Sequence, residues 1–355
     1  MVYDMNNSIF SPQFKITTEM QANIEELERH RWLIDNMLIM PKHEARLRRE
    51  TEVRRISATT RIDGGTLNEG EVRALLSAAG GAKLTVDERA NVDAQSAYEF
   101  VDFLSDQPDI PVDELVIRQL NRYFMSGGPE ALTPGAYRKG PSTVGSYTPP
   151  GPGDLLPLMR SFAFWLRNDE LELHPVIKAG IAHIHLVAVQ PFWDGNGRTA
   201  RGLATMIGQR SALRLRKLLS PESSLLAVRD IYFSTIERTL GCRFSLRYDA
   251  TPWLEFFVRV MRGSVEALVG RLTDWHRMMQ ELYDRGQEGG LVERQVDGHM
   301  FAIRSGRITR SDYIEITGVS PVTASRDLAL LVEAGLLVPE GKTRARIYRP
   351  APVNR

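Results

Sequence analysis

Gln190-Pro191-Phe192-Trp193-Asp194-Gly195-Asn196-Gly197-Arg198-Thr199-Ala200-Arg201 is the stretch on which the reading of this 355-residue chain turns. Gly195 and Gly197 bracket Asn196, so the backbone can take positive φ, turn several N–H groups toward one point and let an anion approach closely. A helix starting near Asn196 and running through Arg198, Arg201, Leu203, Ala204 and Ile207 adds its positive dipole end and its unpaired N–H groups to that point. Arg198 and Arg201 lie three residues apart on one helical face and offer forked donors to phosphate oxygens. Asp194, just ahead of the turn, is placed to hold a Mg²⁺ that bridges those phosphates. Together these parts describe a nucleotide site, with Gly195, Asn196, Gly197, Arg198, Thr199, Ala200 and Arg201 as its phosphate-binding residues and Asp194 as its metal ligand.

Pro-Phe-x-Asp-Gly-Asn-Gly-Arg-x-x-Arg resembles the signature of the Fic (Fido) family, His-Pro-Phe-x-(Asp or Glu)-Gly-Asn-Gly-Arg-x-x-Arg. The first position departs, because Gln190 stands where the family has histidine. His183, seven residues earlier, matches a helical histidine of the family, Pro134-Gly135-Ala136-Tyr137-Arg138 resembles the start of its flap, and Thr251-Pro252-Trp253-Leu254-Glu255-Phe256-Phe257 resembles the close of its helical core. The resemblance implies ATP as ligand and AMP transfer from ATP to a hydroxyl of a target protein. It also implies Asp194 on Mg²⁺, the glycine turn and Arg198 on the phosphates, and Arg201 on the γ-phosphate.

Gln190 inherits only the position of the family's general base. An amide donates and accepts hydrogen bonds but cannot take a proton from serine, threonine or tyrosine near neutral pH, and a lost general base costs about 10²- to 10⁴-fold in rate. His185 lies five residues upstream, about 140° around a helix; His183 is nearly in phase but roughly 10 Å away along the axis. Neither is placed to replace the missing base. The expectation is a protein that binds nucleotide and transfers AMP weakly or not at all.

Two further segments bear on that site. Ser57-Ala58-Thr59-Thr60-Arg61-Ile62-Asp63-Gly64 resembles the family's inhibitory motif, which implies that Asp63 pairs with Arg201, with Thr59 one helical turn earlier on the same side. Asp63-Gly64-Gly65 also reads simply as a helix end with a glycine stop. Val144, Gly145, Ser146 and Tyr147, followed by Pro149-Pro150-Gly151-Pro152-Gly153, read as the flap hairpin, and the resemblance implies that a protein target aligns there by strand addition. Val228 falls where a family helix often carries an asparagine near the adenine, unless the register is one residue out.

Helical spacing of apolar residues predicts a mainly α fold, with helices over 17–37, 44–62, 68–78, 87–105, 112–125, 154–168, 174–188, 196–211, 223–239 and 251–286. Residues 1–110 are expected to form an N-terminal helical region with the inhibitory-type motif, 111–285 the Fic-fold helical core with its β-hairpin flap, and 286–355 a small domain resembling a winged helix-turn-helix. In that last domain Ser320 caps a helix with Pro321 at its first position, and a wing follows. Thr323, Ser325 and Arg326 on this helix, with Lys342, Arg344 and Arg346 of the wing, are the candidate DNA contacts. Nine Lys or Arg against five Asp or Glu over 301–355 is a mild excess for a DNA binder, and such domains also serve protein interaction or dimerisation.

Composition fits this division: 43% hydrophobic and 25% charged residues suffice for a helical core and a satellite. The net charge is +1, and one cysteine and seven histidines without metal-ligand spacing argue against a disulfide framework or a zinc site. No apolar run reaches the ~20 residues of a membrane span and no signal-peptide pattern opens the chain, so a cytoplasmic location, a possible homodimer and no membrane partner are the expectations. The alternative function is a DNA-binding regulator whose winged helix is the output and whose helical core senses nucleotide.

Overall fold

The computed structural model describes residues 10–39, 41–78, 84–128, 133–168, 172–341 and 346–351. The chain divides into two compact units, Met1–Val269 and Gly270–Arg355. The first takes in the expected N-terminal region and most of the expected core.

The first unit is built from α1 (Thr18–Asn36), α2 (Pro41–Ile62), α3 (Glu69–Ser77), α4 (Val86–Ser105), α5 (Glu114–Phe124), α6 (Leu155–Arg167), α7 (Pro175–Val189), α8 (Asn196–Gln209), α9 (Pro221–Ala227), α10 (Arg229–Leu240) and the start of α11 (Thr251–Gly289). Local chemistry sets many of the starts. The Thr17 side chain accepts from the Met20 amide, Asn68 with Glu71 and Thr85 with Glu88 form capping boxes, and Asp113 accepts from Val116. Each satisfies donors that a helix start leaves unpaired.

α7 is the central rod. Val176, Ile177 and every residue from Ala179 to Val189 are buried, so this mostly apolar helix is covered by its neighbours along nearly its whole length. α11 crosses it at Gly180, where a Cβ would lie 2.8 Å from Leu254 Cδ2, and Trp253 Nε1 donates to the Gly180 carbonyl at 2.8 Å. α8 packs against α7, α4 and α5, while α2 packs against α4 and α9. The N-terminal helices thus become one wall of the unit that holds the glycine turn.

Two expected elements differ. The helix over 223–239 is two helices, separated at Val228 (φ −121°, ψ 34°), whose amide bonds the Leu225 carbonyl while its own carbonyl accepts from Tyr232. The flap is one antiparallel bridge between Val144 and Tyr147, closed by two 2.9 Å hydrogen bonds around Gly145 (φ +57°), with no flanking strands. Pro149 and Pro150 lack the N–H that a ladder needs, which halts pairing there. Thr148 pairs instead in parallel with Arg243, through Cys242 and Phe244.

The second unit holds the end of α11, then α12 (Glu293–Ser305), β1 (Ile308–Thr309), α13 (Arg310–Thr317), α14 (Pro321–Glu333), β2 (Leu337–Glu340) and β3 (Ile347–Pro350). α11 continues through 284–289 and ends at Gly289. α13 stops at Gly318 in the left-handed region, and α14 starts on the Ser320 side chain with Pro321 at its first turn. The strands form an antiparallel sheet in the order β1-β3-β2. Ala302, Ile308, Tyr313, Ala324, Leu328, Leu331 and Leu337 make its core. No helix among the described residues is long and apolar enough to cross a membrane.

Candidate nucleotide site

The turn between α7 and α8 is fixed from within. The Asn196 side chain donates to the Phe192 carbonyl at 2.9 Å and accepts from the Phe192 amide at 3.0 Å, closing the loop over Trp193 to Gly195. Gly195 sits at φ +75° directly before α8, and a Cβ there would fall 2.8 Å from Met125 Cγ and Sδ. Only glycine meets both conditions.

Asn121 on α5 holds the turn from outside. Its amide nitrogen donates to the Asp194 carbonyl at 3.0 Å and to Thr199 Oγ1 at 3.2 Å, while its oxygen accepts from the Gly135 amide at 2.9 Å. The amides of the first α8 residues, Asn196, Gly197 and Arg198, have no carbonyl a turn behind them and open toward one point. Asp194 is exposed, with one carboxylate oxygen on the Gly195 amide at 2.6 Å. The other lies 3.9 Å from Arg198 Nη2, so a face of this carboxylate is open to a hard cation.

No group of three or more His, Cys, Asp or Glu among the described residues is placed to hold a metal ion. The donor set at Asp194 is one carboxylate beside the free amides that open α8, a set that would suit Mg²⁺ completed by phosphate oxygens and water rather than by a protein cage.

Thr199 and Ala200 lie near the start of α8. Both are fully buried: the Thr199 amide and hydroxyl are bonded to the Gly195 carbonyl at 2.9 and 2.8 Å, and Ala200 packs inward.

Arg201 has 2% of its surface exposed and is held in place by several partners. Nε donates to Thr59 Oγ1 at 3.0 Å, Nη2 donates to the Thr59 carbonyl at 2.9 Å and pairs with Asp63 Oδ1 at 3.0 Å, and Nη1 lies 3.5 Å from the Tyr232 hydroxyl. Burial works to lower the Arg201 pKa, but Asp63, Tyr232 and Tyr98 carry it above its ordinary value, so the guanidinium stays charged. Asp63 also lies 3.4 Å from Arg198 Nε, so one carboxylate spans both arginines. The shorter aspartate reaches because α2 ends beside α8 and Gly64 (φ +104°) turns the chain directly after it.

Gln190 caps α7 in the left-handed region, at φ 47° and ψ 57°. Its carbonyl accepts from Arg138 Nε at 2.8 Å, and the Arg138 Nη1 donates to Gly140 O at 2.8 Å. The Arg138 amide donates to Pro191 O at 2.9 Å, so this buried arginine staples the flap strap to the end of α7. The Tyr147 hydroxyl adds an anchor, donating to Ala188 O at 2.8 Å, while Val144, Gly145 and Ser146 stay exposed.

His183 and His185 are core residues. His183 stacks on Trp253 with centroids 4.7 Å apart and bonds the Tyr232 hydroxyl at 3.1 Å; His185 lies 3.2 Å from the Tyr248 hydroxyl. Burial lowers both pKa values to about 3, with Arg201 adding to the effect at His183, so both are neutral at physiological pH. Val228, half-buried, lies at the joint between α9 and α10.

Sequence reasoning missed Asn121, Arg138, Tyr232 and Arg229. Asn121 and Arg138 had only weak signals, a buried-face asparagine on an amphipathic helix and the last residue of the flap-start motif.

In the second unit, Arg326 is exposed, Ser325 is exposed with its hydroxyl on Pro321 O at 3.0 Å, and Thr323 is half-buried, 3.0 Å from the Ser320 hydroxyl. Arg346 is exposed beside β3. Lys342 and Arg344 lie outside the described residues.

Residues 111–207 match the Fic/DOC family. The chain is 32% identical over 203 residues to a protein adenylyltransferase Fic of Drosophila erecta, covering 54% of this chain and 39% of that protein. It therefore spans less than half of that relative's length. Among solved structures, it superposes on a Fic family protein from Desulfovibrio desulfuricans G20 with TM-score 0.65 at 20% identity, over 98% of this chain and 100% of the other, a likeness of fold. Fic-1 from Caenorhabditis elegans superposes with TM-score 0.58 at 25% identity, over 72% and 74% of the two chains.

Proposed function

We propose that this Fic-domain protein binds ATP with Mg²⁺ on the Asp194–Arg201 turn and helix start, and that adenylyl transfer to a protein hydroxyl is weak or lost because Gln190 occupies the base position. The observation that carries the reading is the convergence at one turn of the α8 amides, a left-handed Gly195, the paired Arg198 and Arg201, and an exposed Asp194.

In the transfer, a target hydroxyl oxygen would attack the α-phosphorus, the bond to pyrophosphate would break, and the hydroxyl proton would need an acceptor. The nest amides and Arg198 would orient the phosphates, Arg201 would take the γ-phosphate once Asp63 releases it, and Asp194 would hold Mg²⁺, which neutralises phosphate charge when bound. Gln190 can orient the hydroxyl by hydrogen bonding but cannot take its proton. The exposed Val144–Ser146 tip is the surface on which a target segment would lie. Incubation with ATP labelled on the α-phosphate tests this: the native chain should label itself and candidate targets barely, and robust labelling would overturn the silent reading.

A second reading, a regulator that binds DNA through the α13–α14 pair, is favoured by the exposure of Val322 and Arg326 on the outer face of α14 and of Arg346 beside the sheet. Salt-dependent retardation of DNA that Arg326→Ala abolishes would support it.

A further inference from the structure

We propose that Arg229 is a positioning residue that latches the Asp63 carboxylate onto Arg201, making α10 the element through which nucleotide access is regulated. The inference rests on reading Arg201 as a phosphate ligand.

Arg229 is the first residue of α10, and its Nε donates to the Ile62 carbonyl at 2.7 Å. Ile62 ends α2 and directly precedes Asp63. The last carbonyls of a helix have no partner within it, and a cation there also meets the negative end of the helix dipole. The guanidinium is aimed by its own helix, since Phe233, one turn on, lies beneath it with 4.9 Å to the ring centroid.

On the other side of Asp63 the chain is pinned to α4. The Thr66 amide donates to Asp87 Oδ2 at 2.7 Å, and Gly65 passes so close that a Cβ would sit 2.9 Å from Asp87 Oδ1. The carboxylate is therefore carried on a short turn held at both ends, and α10 holds one of them. The same helix supplies Tyr232, whose hydroxyl faces Arg201 Nη1 at 3.5 Å. Withdrawing Asp63 from Arg201 draws the Ile62 carbonyl away from Arg229, so the latch stabilises the closed arrangement alone, and only the open one presents Arg201 to phosphate. Apparent ATP affinity then scales with the open fraction.

ATP affinity in Mg²⁺, measured by calorimetry on the native chain, Arg229→Ala, Asp63→Ala and the double variant, tests this. Arg229→Ala should tighten ATP about three- to tenfold in the native background and change nothing in the Asp63→Ala background, where there is no carboxylate to latch. Arg229→Lys, which keeps a cation and a donor, should stay near native. Weakening in both backgrounds would show that Arg229 touches nucleotide, and equal tightening in both would show that it acts other than through Asp63; either overturns the latch. Hydrogen exchange at the Asp63–Thr66 amides separates the latch from the reading beneath it. Faster exchange in Arg229→Ala with no ATP binding in any of the four proteins would support the latch and sink the Arg201 reading, and unchanged exchange would overturn the latch itself.

Discussion

Replacing Asp63 with alanine should move apo stability and ATP affinity in opposite directions. The carboxylate sits 3.0 Å from a guanidinium whose side chain is 1% exposed, but is itself 32% exposed. At an effective dielectric near 20 two charges about 4 Å apart attract by about 4 kcal/mol, and partial solvation of the carboxylate reduces the net to about 1–2 kcal/mol. Arg201 keeps Thr59 Oγ1 and the Thr59 carbonyl in the variant, so its charge is not stranded. Apo stability should therefore fall by about 1–2 kcal/mol, a melting shift of about 2 to 8 °C for a unit of this size. A γ-phosphate no longer has to displace the carboxylate, so ATP should bind about 5- to 30-fold tighter. Scanning calorimetry and titration on the same preparations read both quantities. A variant that loses both stability and affinity would make Asp63–Arg201 a structural pair alone, with no part in gating nucleotide.

Gln190→His should raise AMP transfer from α-labelled ATP by about 100-fold or more, and more again with Asp63→Ala; no gain would mean that something other than the base limits transfer. Asn121→Ala strips partners from the Asp194 carbonyl, Thr199 and the buried Gly135 amide, so denaturant unfolding should show a loss of about 1–3 kcal/mol, and a loss below about 0.5 would contradict the role given to Asn121. His183 and His185 have folded pKa values near 3 against an ordinary value of 6.5, so the unfolded chain binds more protons between those pH values and stability falls as pH drops through them. Each histidine should remove about 2 kcal/mol between pH 7.5 and 5, and His185→Gln should halve the combined effect; a flat stability profile over that window would refute their neutral burial.

What the sequence revealed and what it hid follow from the range of the interactions. The glycine turn was legible because its chemistry is local: Gly195 must take positive φ, Asn196 bonds back four residues to Phe192, and α8 starts where the amides are free. The Asp63–Arg201 pair was legible only through resemblance, since 138 positions separate the two residues in the chain. Arg138, Asn121 and Arg229 do their work on backbone groups of Gln190, Asp194 and Ile62, and backbone carbonyls leave no mark in a residue pattern. The flap's reduction to a single bridge lay in Pro149 and Pro150, read as a terminator although they also limit how many ladder bonds can form.

On this reading the Asp194–Arg201 segment binds Mg²⁺-ATP whether or not the protein transfers AMP. Titration of ATP into the purified protein, with and without Mg²⁺, and into Asp194→Ala tests it most directly. Binding should be saturable at one site and strengthened by Mg²⁺, with the Mg²⁺ effect lost in Asp194→Ala. Absence of binding heat and of any melting shift at about 1 mM ATP, in the native chain and in Asp63→Ala alike, would contradict it.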